Sequence, residues 1–131
     1  MQPEREGLTE YESYLEFTGQ HQAGPGLVHG GLVAAALDEA CGLLATWYRF
    51  PTVTARLFVN FRKPVPIKTE LLIRARLEDE RGSRIHVTGE IVDGPVILAQ
   101  ARAALVHVPL EHFLATSEGR DAGEEWRRRL S

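Results

Sequence analysis

Residues 25–42 read "PGLVHGGLVAAALDEACG", and this stretch decides the fold. A histidine and two glycines, His29-Gly30-Gly31, open a run of Ala, Leu and Val at helical spacing. Two carboxylates, Asp38 and Glu39, stand at its centre. Charged groups stay out of buried faces unless they are paired, so this pair needs a reason. The run predicts a helix from Gly30 to about Tyr48. Arg49-Phe50-Pro51 ends it, because the residue before a proline is pushed out of the helical region.

Working outward, "YESYLEFT" (11–18) is aromatic and partly alternating and predicts a first strand. Residues 19–28 form a loop rich in Gly with one Pro. Beyond Pro51 the chain reads as strand. "TVTARLFVNF" (52–61) is rich in β-branched and aromatic residues. Lys63-Pro64-Val65-Pro66 forces an extended connection. Leu71, Ile73, Ala75 and Leu77 alternate with Leu72, Arg74 and Arg76. Ile85, Val87, Gly89 and Ile91 alternate with His86, Thr88 and Glu90, the period of a sheet with one buried face. Residues 79–83 supply a hairpin, Asp93-Gly94-Pro95 the next, and residues 96–108 a long final strand. Strand, long helix, then four strands joined by tight turns predicts an α+β domain. The helix is the cover for the apolar face of one curved antiparallel sheet.

The 131 residues suit one domain with one core over about 10–108 and a polar tail over about 109–131. Hydrophobic residues at 44% and charged residues at 25% are the balance of a soluble globular protein. A net charge of −3 suggests no nucleic-acid surface, and Arg127-Arg128-Arg129 beside Glu124 and Glu125 reads as a solvated helix end. No apolar run approaches the roughly 20 residues of a membrane span, and "MQPEREGLTE" lacks the apolar centre of a signal peptide. The single cysteine, Cys41, permits no internal disulfide and fits a reducing cytoplasm. It reads as a small buried side chain.

At 100° per residue, Val33, Leu37, Ala40, Leu44 and Trp47 share one stripe, the expected core face. Nearly opposite lie Ala34, Ala35, Asp38, Cys41, Gly42 and Ala45. Small residues admit another backbone or a thin ligand, and Gly42 costs the helix about 1 kcal/mol against Ala. Asp38 and Glu39 then have two explanations. In one they lie on a solvated strip or pair with Arg56 or Arg62. In the other, Asp38 lines a half-buried cleft where desolvation tunes a carboxylate for acid–base work.

The helix start bears on that choice. Its first N–H groups have no internal acceptor and carry the positive end of the dipole. Gly30 and Gly31 leave them unshielded, able to polarise a carbonyl or hold an oxyanion. A histidine that merely caps the helix is the plainer alternative.

Taken together, "GPGLVHGGLVAAALDEACG" and "TARLFVNFRKPVP" resemble the hotdog-fold acyl-CoA thioesterases of the PaaI-like group, over roughly residues 10–108. The resemblance implies a long central helix wrapped by a curved antiparallel sheet. It implies the backbone N–H of Gly30 as oxyanion donor and Asp38, nine residues after His29, as general base or nucleophile. His29 would help place the thioester carbonyl, with Gly31 beside it, and Thr54 would assist the acid or hold water. The best-studied members carry Asn six residues before the histidine. Ala23 stands there, and Gln22 is the substitute. Coenzyme A phosphates would meet basic residues, for which Arg56, Arg62, Lys63 and Arg84 are the candidates.

A thioester carbonyl is already electrophilic, so one polarising N–H and one carboxylate suffice. No cofactor is implied. His21, His86, His107 and His112 are scattered without metal-ligand spacing. A hotdog hydratase or dehydratase and a non-catalytic acyl-CoA sensor are the alternatives. Gly30 and Asp38 are eight residues apart, about 12 Å along one helix. That distance calls for a homodimer with shared sites, Gly30 from one helix facing Asp38 of the other. The resemblance adds pairing of dimers into tetramers.

Overall fold

Pro51, Gly82 and Gly94 punctuate the chain, and the elements fall between them. The computed structural model describes residues 9–111, and the side chains of residues 21–23 are not among those described. The expected tail beyond residue 111, with Arg127-Arg128-Arg129, lies outside the described residues. Strand β1 is Glu10–Leu15, and a 3-10 turn at Gly19–His21 leads to short strands β2 (Gln22–Gly24) and β3 (Leu27–Val28). Helix α1 is Gly30–Tyr48, followed by β4 (Thr52–Phe61), β5 (Leu71–Arg81), β6 (Arg84–Asp93) and β7 (Val96–His107). The helix and β4 have the expected bounds. Strand β1 stops at Leu15, short of the expected residue 18, and the loop over 19–28 contains the β2–β3 pair.

The β5–β6 hairpin is tighter than expected. Its strands run on to Arg81 and Arg84, leaving Gly82-Ser83 as the turn. Gly82 (φ 59°) and Gly94 (φ 57°) sit in the left-handed region, which a side chain would strain.

The five long strands form one antiparallel sheet in the order β1-β5-β6-β7-β4. Tight turns join β5, β6 and β7, but β4 does not neighbour β5. It crosses to the far edge and pairs with β7. The crossing residues 62–70 contain Pro64 and Pro66, which have no N–H to extend a ladder. The segment docks instead on the β3 loop: Val28 N–H donates to Val65 C=O at 2.9 Å and Ile67 N–H to Gly26 C=O at 3.1 Å.

Helix α1 packs on the inner face of the sheet, against β4, β5, β6 and β7. Its buried residues are Val33, Leu37, Ala40, Cys41, Leu44 and Ala45. Cys41 is buried as expected, but two assignments of face are corrected. Trp47 is 65% exposed, while Cys41 and Ala45 belong to the core instead of the small-residue face. At 100° per residue the buried arc runs from Ala40 to Ala45, so its centre lies toward Cys41 and its edge leaves Trp47 out. The sheet beneath is lined with small residues, Ala99, Ala101 and Ala103 of β7 and Gly89 of β6. A Cβ on Gly89 would lie 3.0 Å from Cys41 Sγ and 3.5 Å from a Leu37 methyl, so this glycine allows the helix its close approach. One curved antiparallel sheet wrapped around one long helix is the hotdog architecture.

Candidate active site

The helix start is built around His29. As N-cap it has extended backbone (φ −61°, ψ 134°), and its Nδ1 accepts from Gly31 N–H at 2.9 Å. Its carbonyl accepts from Leu32 N–H (3.0 Å) and Val33 N–H (3.3 Å). Three of the first four N–H groups are therefore satisfied by one residue. The fourth, Gly30 N–H, has no hydrogen-bond partner among the described residues. It points from the positive end of the helix dipole. Because Nδ1 accepts, the proton of the neutral ring sits on Nε2, which stays available as a donor.

The two glycines have separate reasons. A Cβ on Gly31 would come within 3.1 Å of His29 Nδ1 and 3.3 Å of Cε1, so the cap needs glycine there. A Cβ on Gly30 would meet only the Phe61 ring, at an ordinary 3.5 Å.

Halfway along α1, Thr54 Oγ1 of β4 donates to Asp38 Oδ1 at 2.9 Å. Asp38 is half-buried and Glu39 exposed. Asp38 lies at the flank of the buried arc, beyond Ala45, which places it against β4. It forms no ion pair among the described residues, so the pairing with Arg56 or Arg62 is not what holds it. Arg62 donates to Gln100 Oε1 instead (2.9 Å). Burial first, and the charge of Asp38 second, push the Cys41 thiol up to about 12, which leaves it protonated and inert.

Strand β4 runs back along α1. Thr52 Oγ1 lies 3.3 Å from Thr46 Oγ1 near the helix end, Thr54 meets Asp38 at the middle, and Phe61 meets Gly30 at the start. Gln22 is opposite Val28 in the β2–β3 pair, and so next to the helix start, though its side chain is not among those described. The basic candidates do not gather. Arg62 and Lys63 follow Phe61 directly, and both N–H groups donate to Leu98 C=O (2.9 and 3.0 Å). Arg56 is exposed at the β4 bulge. Arg84 opens β6 opposite Val106, eight residues along β7 from Leu98, or about 26 Å.

A hollow of about 760 Å³ lies on the opposite face of the sheet. It is not part of this site. Two ion pairs lie within it, Arg74 with Glu90 and Arg76 with Glu10 (3.5 Å), and Arg102 lies over the Phe58 ring. Among the described residues no three His, Cys, Asp or Glu converge as a metal site, and no helix is long and apolar enough to cross a membrane.

Residues 25–99 match the thioesterase superfamily, and the chain belongs to that family. Acyl-coenzyme A thioesterase THEM4 of Rattus norvegicus is 30% identical over 91 residues, covering 67% of this chain and 39% of the relative. The chain thus spans about two-fifths of the curated relative it matches. In three dimensions it resembles the phenylacetic acid degradation-related protein of Ralstonia eutropha JMP134 (TM-score 0.69, 28% identity, 74% of this chain and 75% of that one). It also superposes on smu.793 of Streptococcus mutans UA159, solved bound to acetyl CoA (TM-score 0.72, 20% identity, 76% and 82%).

Proposed function

We propose that this protein hydrolyses an acyl- or aryl-CoA thioester to the free acid and CoA. The observation that carries the reading is the unpartnered Gly30 N–H, on the same helix as a half-buried carboxylate held by one hydroxyl. Family membership and the acetyl CoA bound by smu.793 support it.

In the reaction, Gly30 N–H donates to the carbonyl oxygen and stabilises the charge that grows on it. Asp38, oriented by Thr54, takes a proton from water as the water oxygen bonds to the carbonyl carbon. The tetrahedral intermediate collapses, the carbon–sulfur bond breaks, and the CoA thiolate recovers the proton. Direct attack by the carboxylate is the other route. It gives a mixed anhydride that water then opens, and a single turnover in labelled water separates the two. His29, capped onto Gly31, offers Nε2–H toward the carbonyl, and Gln22 lies across from it. Arg62 and Lys63, beside the helix start, are the cations best situated for the CoA phosphates, ahead of Arg56 and Arg84.

Gly30 and Asp38 of one chain are too far apart to share one carbonyl, so the site is formed in a homodimer. Strand β4 ends the sheet with its outer edge unpaired among the described residues, and Gly42 has nothing within 4 Å of its Cβ position. With Cys41 and Ala45 in the core, the face that admits a partner helix narrows to Ala34, Ala35, Asp38 and Gly42. Two such dimers pair as a tetramer, in a cytoplasmic setting. Incubation with a panel of acyl- and aryl-CoA esters and a thiol reagent tests the activity. Thiol release supports it. Double-bond chemistry without release means a hydratase, and tight binding with neither means a sensor. Mixed dimers refolded from inactive Gly30→Pro and Asp38→Asn chains test the shared site. Partial activity should return, and its absence in verified mixed dimers contradicts sharing.

A further inference from the structure

Phe61 is not accounted for by the chemistry above. It ends β4 on the same face as Leu57 and Val59, which pack against the core. At the helix start, however, its ring is left 53% exposed. Its backbone is anchored. Phe61 pairs with Ala99 in the ladder, and the two following N–H groups share Leu98 C=O. Ring carbons Cε1 and Cζ sit 3.5 Å from the Cβ position of Gly30. A half-uncovered aromatic ring on an anchored strand end therefore stands beside the unpartnered N–H of the helix.

We propose that Phe61 forms the wall against which the acyl group packs, and that it sets how much branching is accepted at the carbon next to the thioester carbonyl. The inference rests on Gly30 N–H holding the carbonyl oxygen. That oxygen lies about 2.9 Å from the donor nitrogen. The carbonyl carbon is about 1.2 Å beyond it, and the first acyl carbon is one bond further. Such a reach is long enough to bring the first acyl carbon to the ring, whose Cε1 and Cζ border the Cβ position of Gly30. The acyl limb is the apolar part of a CoA thioester, whereas the pantetheine limb carries amides that need hydrogen-bond partners. A ring that presents only carbon gains most from covering by the acyl limb. A methyl branch at its first carbon would press into the ring.

The test compares butyryl-, decanoyl- and phenylacetyl-CoA with their α-methyl counterparts on wild type, Phe61→Ala and Phe61→Leu. The ratio of kcat/KM for branched over unbranched ester cancels any loss of folded protein. Phe61→Ala should raise that ratio about tenfold, the scale of one methyl group in an apolar pocket, and Phe61→Leu by less. A ratio unchanged within about twofold in both variants overturns the proposal. So does a change confined to the preference between CoA and N-acetylcysteamine esters, which would turn the ring toward the thiol limb. Gly30→Pro separates the two readings. Full turnover in that variant overturns both, whereas lost turnover with a flat Phe61 ratio overturns the Phe61 proposal alone.

Discussion

At its C-terminal end α1 is tied down by four hydrogen bonds. Arg49 N–H donates to Ala45 C=O (2.8 Å), Tyr48 OH to Glu80 Oε1 (2.7 Å), and Arg49 Nη1 to both Glu80 Oε2 (2.8 Å) and Gly82 C=O (2.7 Å). At its N-terminal end one histidine satisfies three N–H groups and Gly30 is passed over. The first end fastens the helix to the β5–β6 hairpin. The second keeps a donor in reserve, a cost a fold bears where a ligand supplies the acceptor. On the proposed mechanism one helix divides its labour, stability at one end and chemistry from the start to the middle.

The strongest break in that division is on the chemical side. Asp38→Asn keeps an oxygen for the Thr54 hydroxyl, so the melting temperature should hold while kcat falls at least about 100-fold. Near-normal turnover would make Asp38 structural. Glu80→Ala does the reverse. It removes the acceptor of Tyr48 and Arg49 together and should cost about 1–3 kcal/mol in denaturant unfolding. Turnover of the folded fraction should stay within about twofold. A loss of turnover without a loss of stability would erase the contrast between the ends. Gly31→Ala should act on both. Its Cβ displaces the His29 ring and the cap, costing about 1 kcal/mol, and turnover should fall with it. The smallest effect concerns Cys41. Its thiol titrates from 9.0 in the unfolded chain to about 12 in the folded one. Its stabilising share is whole below 9.0 and is lost as the pH rises through about 12, because between those values only the unfolded chain releases its proton. At neutral pH a thiol reagent should label Cys41 only on unfolding, so it should not disturb an assay of released CoA.

The helix and the β5–β6–β7 meander were legible because local rules govern them: a 3.6-residue period closed by Pro51, and alternation broken at Gly82 and Gly94. The place of β4 was not, since two prolines show where a ladder stops but not which edge the next strand joins. The helix faces were legible only to within a turn. Trp47 fits the apolar stripe by angle, yet the sheet's alanines and Gly89 draw the helix in toward Cys41. At the site, His29, Gly30 and Asp38 stood out by spacing. The Thr54–Asp38 bond depends on how β4 runs back along the helix. Phe61 carried no motif of its own, and its pairing with Gly30 follows from that same antiparallel course.

The central claim is that Gly30 N–H polarises the substrate carbonyl, and one pair of variants tests it most directly. Proline suits the first helical position, and His29 already has the extended backbone that a following proline requires. Gly30→Pro therefore deletes the N–H and leaves the helix in place. Gly30→Ala keeps the N–H and adds a methyl at an ordinary contact distance from Phe61. Steady-state kcat on the best thioester should fall about 100-fold or more in Gly30→Pro and stay within about fivefold of wild type in Gly30→Ala, at similar melting temperatures. Equal, mild effects of the two substitutions would contradict the account.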